Sequence, residues 1–244
     1  MAARARAASR SGPAVPGSWP PHRISPAAIG TTVQAWRAAS AITALALARA
    51  RDGGERLARA DRAVIAALPA WRNPRGIAAA RAVSAMAEPA FAGPLLAVAA
   101  VLAARRNGLR AAAVPALAVP AGVVARWLLS EVIARPRPPA AVWLAEPEGF
   151  SLPSRHTTLA ALTAGALTAA AGGKGLRRHA VPFLTGAGVG ASRVYLGVHW
   201  PTDILAGSLF AAAWLGLAQK VVLDPAPASP AGQKAAQASV RRSG

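Results

Sequence analysis

Cysteine is absent from this chain of 244 residues, and acidic residues are scarce. Without thiols, the protein has no disulfide bonds, no thiolate nucleophile and no zinc site built on sulfur. Nine Asp and Glu residues stand against 28 Lys and Arg residues, which gives a formal net charge of +19. This balance indicates an anionic partner: nucleic acid, an anionic membrane surface or a phosphorylated substrate.

Long apolar segments fill most of the chain after residue 82. Apolar residues make up 54% of the sequence, and a membrane-spanning helix needs about 20 of them in succession. The segments that meet or approach this requirement are 82–104, 111–134, 157–173, 180–198 and 201–223. They lack the polar face that repeats about every 3.6 residues in helices of soluble proteins. The sequence therefore predicts an all-α fold, a multi-span transmembrane helical bundle.

The two ends of the chain have a different composition. Residues 1–28 are rich in Arg, Ser, Pro and Gly and lack the apolar core of a signal peptide, which predicts a disordered basic tail. Residues 31–50 are rich in Ala but include Arg37, so they form either a sixth span or a surface amphipathic helix. We predict a membrane-embedded domain over 29–224 and a disordered cytoplasmic tail over 225–244.

Basic connections between the apolar segments predict the topology. Residues 104–110 and 172–179 each carry three Lys or Arg, and such connections face the cytoplasm. A sixth span over 31–50 places the basic N-terminal tail on that side as well, and we favour it for this reason. The arginine-rich stretch 51–81 then lies outside, with a short interfacial helix over 61–71.

Histidine, arginine and one carboxylate collect at the segment ends opposite those basic connections. Charged groups at membrane depth are costly and usually mark function. Asp203 is the only acidic residue between 149 and 223. The residues predicted to converge at this end are Arg135, Arg137, Ser154, Arg155, His156, Arg193, His199 and Asp203.

The chemistry of this cluster points to phosphate. His199 and Asp203 are four residues apart, so the carboxylate can fix the tautomer of the imidazole. Alone, an Asp at a helix start is more often a cap, but guanidinium groups match phosphate oxygens with paired hydrogen bonds. Ser154 is predicted to cap a helix that starts near residue 155, and the free N–H groups of a helix start also favour a phosphate.

Two segments of the cluster have a distinctive spacing. One reads Ser-Arg, five residues, His, three residues, Asp, and the other reads Pro-Ser-x-His. They resemble the third and second motifs of the type 2 phosphatidic acid phosphatase family, which shares its fold with vanadium haloperoxidases. The matching residues are Ser192, Arg193, His199 and Asp203 for the third motif, and Pro153, Ser154 and His156 for the second. Arg155 stands where the family has glycine.

The first family motif, Lys-x6-Arg-Pro, is only partly present. Arg137 and Pro138 match it, but Ser130 occupies the position of the lysine. Arg126 lies one helical turn earlier, and its long side chain can reach into the vacancy. We therefore predict Arg126 as a substitute for the missing cation. The three motifs fall within residues 126–203.

The resemblance implies a metal-independent lipid phosphatase without a cofactor. His199 would attack phosphorus while Asp203 orients it. His156 would protonate the leaving oxygen and then activate water to hydrolyse the phosphohistidine. The phosphate oxygens would be held by Arg137, Ser154, Arg155 and Arg193.

Several alternatives stay open at this stage. The substrate is an isoprenoid diphosphate, phosphatidic acid or a similar lipid, and an outward-facing site favours an undecaprenyl diphosphate carrier. A catalytically weakened relative is the main alternative, because the lysine is absent. A haloperoxidase and a nucleic-acid binder are less favoured, since the chain spans a membrane and anionic lipid already explains the charge. Glu88 and Glu131 either tune the site or, as we favour, form structural pairs in the bundle, for example with Arg126. The sequence carries no signal for oligomeric state.

Overall fold

The computed structural model describes residues 54–223, and these residues form helices without any strand. The predictions for 1–28, 31–50 and 225–244 lie outside this part of the chain. A short π-helical turn (Val114–Ala118) and a 3-10 turn (Ala140–Val142) accompany the helices. The helices are α1 (Glu55–Trp71), α2 (Pro74–Ala85), α3 (Pro89–Asn107), α4 (Leu109–Ala113), α5 (Val119–Ile133), α6 (Arg155–Ala170), α7 (Leu176–Tyr195) and α8 (Pro201–Leu223).

Local sequence accounts for several helix boundaries. Pro74, Pro89 and Pro201 each stand at the first position of a helix, where the missing N–H group costs nothing. At α2 the Asn73 side chain also accepts a hydrogen bond of 2.8 Å from the Gly76 N–H. Helix α5 ends because Ala134 takes a left-handed conformation with a φ of 50°. The prediction of one apolar helix over 82–104 was therefore wrong at its start, because Pro89 begins a new helix.

Three helical segments are long and apolar enough to cross a membrane: Pro89–Asn107, Leu109–Ile133 and Pro201–Val222. The predicted spans over 157–173 and 180–198 correspond to helices α6 and α7. Helix α6 has only 16 residues, and α7 carries Arg177 and Arg178 in its first turn. The helical membrane fold is thus confirmed, and the predicted number of spans is confirmed in part.

Helix α6 lies in the middle of the bundle and packs against α3, α5, α7 and α8. Its residues from His156 to Thr163 are all buried. Large apolar side chains instead cover the outside of the bundle, where a lipid environment suits them. Those exposed by more than half include Phe91, Leu117, Trp127, Val132 and Leu184.

Glycines in α7 permit its close approach to α6 and α8. A Cβ atom at Gly190 would overlap Thr157 of α6 and Ile204 of α8, and one at Gly186 would lie 2.9 Å from the Cβ of Ala161. Small residues allow helix backbones to approach closely in membrane bundles. This packing brings the last turn of α7 next to the first turns of α6 and α8.

The two ends of the bundle differ in charge. At one end the basic connections meet, where Arg106 donates a 2.7 Å hydrogen bond to the Ala171 carbonyl. Helices α1 and α2 lie at the other end, where Arg72 donates a 3.0 Å hydrogen bond to the Tyr195 carbonyl. The helix predicted over 61–71 exists, extends from Glu55 to Trp71, and is on the end opposite the basic connections.

Candidate active site

His199 and Asp203 form a buried pair at the turn between α7 and α8. The His199 Nδ1 atom lies 3.2 Å from Asp203 Oδ2, and the two side chains are 2% and 0% exposed. Asp203 Oδ2 also accepts a 2.9 Å hydrogen bond from the Trp200 N–H. A carboxylate at Nδ1 places the proton there, so the lone pair of the ring is on Nε2.

The environment of His199 favours its neutral form. Burial lowers its pKa to about 4, against the opposing effect of Asp203, and the Arg137 and Arg193 guanidinium groups lower it further. The imidazole is therefore uncharged at neutral pH. A neutral ring with a free Nε2 is the state that a histidine nucleophile requires.

Arg137 lies directly in front of this nitrogen. Its Nη1 atom is 3.1 Å from His199 Nε2. Its other N–H groups donate to the carbonyls of Val198, Gly149, Glu148 and Phe150, over distances of 2.6 to 2.9 Å. The sequence predicted Arg137 as a phosphate ligand, which stays a prediction, and one N–H of its Nη1 faces His199. The N–H groups of Nε and Nη2 hold the loop at 148–150, a role that the sequence did not predict.

Arg193 reaches the same region from the last turn of α7. It is 6% exposed, and its Nη1 donates a 3.0 Å hydrogen bond to Ser84 Oγ. Within the described residues its Nε has no hydrogen-bond partner. A buried guanidinium N–H without a partner is costly, and a bound anion would satisfy it.

Ser154 and Arg155 mark the start of α6. Ser154 is the N-cap residue, as predicted: its Oγ lies 3.5 Å from the Thr157 amide nitrogen, and its own N–H donates to the Asp203 carbonyl at 3.2 Å. Arg155 stands at the mouth of the site and is 30% exposed. It forms ion pairs with Glu88 at 3.6 Å and with Glu148 at 3.7 Å.

His156 follows in the first turn of α6 and pairs with Glu88. Its Nε2 atom lies 2.8 Å from Glu88 Oε1. The favoured interpretation of Glu88, a structural pair such as one with Arg126, was therefore wrong about its partners, which are His156 and Arg155. Glu131 is exposed on α5, and no ion pair links it to Arg126 within the described residues.

Arg126 occupies the space beside Ser130. It is 6% exposed, and its Nη2 donates a 3.1 Å hydrogen bond to Ser130 Oγ. Its Nε donates a 2.6 Å hydrogen bond to the Pro153 carbonyl, next to Ser154. The guanidinium thus lies beside Ser130 and the start of α6, and its role as a substitute for the lysine stays a prediction.

A second buried carboxylate lies behind Asp203. Arg135 donates to Asp203 Oδ1 at 2.5 Å and to Asp61 Oδ2 at 2.8 Å. Asp61 of α1 also accepts hydrogen bonds from the backbone N–H and hydroxyl of Thr202. Sequence reasoning placed Arg135 in the cluster but missed Asp61. The only signal for it was the rarity of acidic residues in this chain.

Asp61→Ala should lower the free energy of unfolding by about 3–5 kcal/mol, because it removes one of the two carboxylates that pair with the largely buried guanidinium of Arg135. Thermal unfolding in detergent measures the change. Glu55→Ala on the same helix is the matched control: its ion pair with Arg59 is exposed by 83% and 62% and should contribute less than about 0.5 kcal/mol. Equal effects of the two changes would contradict a structural role for the buried pair.

These features define a class of protein: a helical membrane bundle in which two histidines and several arginines surround one buried end. Residues 107–225 match the model of the PAP2 superfamily. The fold is similar to the crystal structure of a transmembrane PAP2-type phosphatidylglycerolphosphate phosphatase from Bacillus subtilis, with a TM-score of 0.66 and 21% identity over 78% of this chain and 96% of that chain. No curated protein matches the sequence. The match over residues 107–225 agrees with the resemblance to this family that the motifs predicted.

Proposed function

We propose that this protein is an integral membrane lipid phosphatase that hydrolyses a phosphomonoester or a pyrophosphate through a phosphohistidine on His199. The observation that carries the proposal is the arrangement around His199: Nδ1 faces Asp203 at 3.2 Å, while Nε2 faces the guanidinium of Arg137 at 3.1 Å. A phosphoryl group between Nε2 and the arginines would meet the nucleophile and the positive charge together.

The reaction has two balanced steps. In the first, the Nε2 lone pair attacks phosphorus, the bond to the leaving oxygen breaks, and His156 gives that oxygen a proton. In the second, His156 removes a proton from water, the resulting hydroxide attacks phosphorus, and the P–N electron pair returns to His199. Inorganic phosphate leaves, and both imidazoles regain their starting protonation.

The arginines would supply the positive charge that the transition state needs. Charge spreads over the equatorial oxygens during phosphoryl transfer, and guanidinium groups bind such oxygens in a fixed geometry. Arg193 offers its unpartnered Nε, and Arg137 offers the Nη1 that faces His199. We propose a metal-independent reaction in which Arg126 takes the place of the absent lysine, while Ser154 and Arg155 contact the phosphate from the start of α6.

The position of the basic connections supports an extracytoplasmic active site in the cell membrane. Arg105, Arg106 and Arg110 lie in one connection, and Lys174 and Arg177 lie in or next to the other. Basic connections stay in the cytoplasm, and the candidate site is at the opposite end of the bundle. An outward-facing site has access to lipid carriers of the outer leaflet, so we place isoprenoid diphosphates first and phosphatidic acid second among the substrates.

Phosphate release by the full-length protein in detergent tests this function. The panel contains undecaprenyl diphosphate, phosphatidic acid and phosphatidylglycerol phosphate, which is the substrate named for the Bacillus subtilis structure. We expect release from at least one lipid, with undecaprenyl diphosphate the fastest, and loss of that release in His156→Ala. Absence of release from every lipid would favour a non-catalytic relative instead.

A further inference from the structure

We propose that Glu88 is a positioning residue that holds His156 ready to donate a proton to the leaving oxygen. The inference rests on the proposed function, in which His156 is the general acid. Glu88 lies in the turn between α2 and α3, outside the residues that match the superfamily model. Its carboxylate Oε1 is 2.8 Å from His156 Nε2, and its Oε2 is 3.6 Å from Arg155 Nη2.

The carboxylate of Glu88 has no role in its own helix. Glu88 occupies the N-cap position of α3, where a side chain often accepts a hydrogen bond from the first turn. Here the side chain makes no such bond, and it crosses to α6 instead. The contact joins residues that are 68 positions apart. A simple capping function therefore does not explain the direction of the side chain.

The charges around His156 give this contact its importance. Burial, and after it the nearby charges of Arg193, Arg155, His199 and Arg137, lower the pKa of His156 to about 2. Each cation disfavours a second positive charge, and a general acid must carry its proton before it can donate. Within the described residues Glu88 is the carboxylate at hydrogen-bond distance from His156. It therefore supplies the negative charge that stabilises the imidazolium.

The geometry also divides the work between the two ring nitrogens. In the imidazolium, Nε2–H donates to Glu88, and Nδ1–H is left for the leaving oxygen. After that transfer the ring is neutral and still bonded to Glu88 through Nε2–H. Its Nδ1 lone pair can then accept a proton from the attacking water. One carboxylate thus fixes the ring in both steps without itself exchanging a proton.

Glu88→Gln separates this role from a structural one, because it keeps the size of the side chain and removes its charge. Two substrates are compared: phosphatidic acid, a phosphomonoester whose alkoxide leaving group needs a proton, and p-nitrophenyl phosphate, whose leaving group does not. For the lipid we expect kcat to fall by about 10²-fold, the lower end of the range for general acid catalysis. For p-nitrophenyl phosphate we expect a change of less than about threefold, since the proton contributes little there.

The pH profile gives a second readout. Loss of the carboxylate makes protonation of His156 harder, so the alkaline limb of the lipid reaction should move to lower pH in Glu88→Gln. Glu88→Asp keeps the charge and should restore part of the rate. Glu131→Gln is the matched control, because Glu131 is exposed near the same end of the bundle. We expect it to leave both reactions unchanged.

Four outcomes would overturn the inference. Equal losses on both substrates would indicate a structural role. A lower KM with unchanged kcat would indicate that Glu88 only occupies the anion site and competes with the substrate. Wild-type rates in Glu88→Gln, with His199→Ala inactive, would exclude the positioning role of Glu88 but not the proposed function. An inactive wild-type protein would exclude both the positioning role of Glu88 and the proposed function.

Discussion

Replacing His199 with alanine should reduce phosphate release by about 10⁴-fold or more, because loss of a nucleophile removes the covalent path as a whole. The imidazole has no obvious substitute, since its Nε2 faces Arg137 and its Nδ1 is held by Asp203. Release from the best lipid of the panel measures the loss, and the binding of that lipid should change far less than kcat.

His179→Ala is the matched control for this experiment. His179 is exposed in α7 at the end of the bundle that carries the basic connections, and its loss should leave the rate unchanged. Brief incubation with a ³²P-labelled substrate should also label wild-type protein but not His199→Ala. Substantial turnover by His199→Ala, or labelling that survives the substitution, would exclude His199 as the nucleophile.

Contacts within one helix or one turn were predictable from the sequence. His199 and Asp203 are four residues apart at the start of α8, and that spacing alone brings a carboxylate to an imidazole. Ser154 was predictable as the N-cap of α6 for the same reason, because the bond to Thr157 spans three residues. Arg126 and Ser130 are also one turn apart on α5. Local helical geometry determines all three pairs.

The contributions of α1 and α2 were not predictable in this way. Asp61 meets Thr202 across 141 positions and Glu88 meets His156 across 68. Neither residue belongs to a motif with a fixed spacing, and both precede the matched region, Asp61 in α1 and Glu88 in the turn between α2 and α3. Their partners depend on how α1 and α2 pack against the end of the bundle, and hydropathy carries no information about that packing.

Hydropathy predicted the helical membrane bundle but not the environment of each helix. Helix α6 was predicted as a span because its sequence is uncharged after His156. The structure shows why it is uncharged: α6 is surrounded by α3, α5, α7 and α8. An apolar sequence is equally suited to a lipid-facing helix and to a helix buried inside a bundle. Composition alone cannot separate the two.

Replacing Arg126 with alanine should lower kcat on the lipid substrate by about 10²–10³-fold, the usual effect of removing one donor that stabilises the transition state. Arg126 is buried, and its Nη2 reaches Ser130, the position of the family's lysine. Phosphate release measures the effect. Arg110→Ala is the matched control, because Arg110 is exposed at the other end of the same apolar segment and should have no effect.

The decisive variant moves the cation back to the family position. Ser130→Lys in the Arg126→Ala background places an ammonium group in the volume that the guanidinium leaves, so the rate should return to within about tenfold of wild type. The remaining deficit reflects the lost hydrogen bond to the Pro153 carbonyl, which Arg126 makes at 2.6 Å. Thermal unfolding of both variants separates loss of charge from loss of structure. If Arg126→Ala retains full activity, or if Ser130→Lys restores none in a folded protein, Arg126 does not replace the lysine and its contacts serve only to hold α5 against the start of α6.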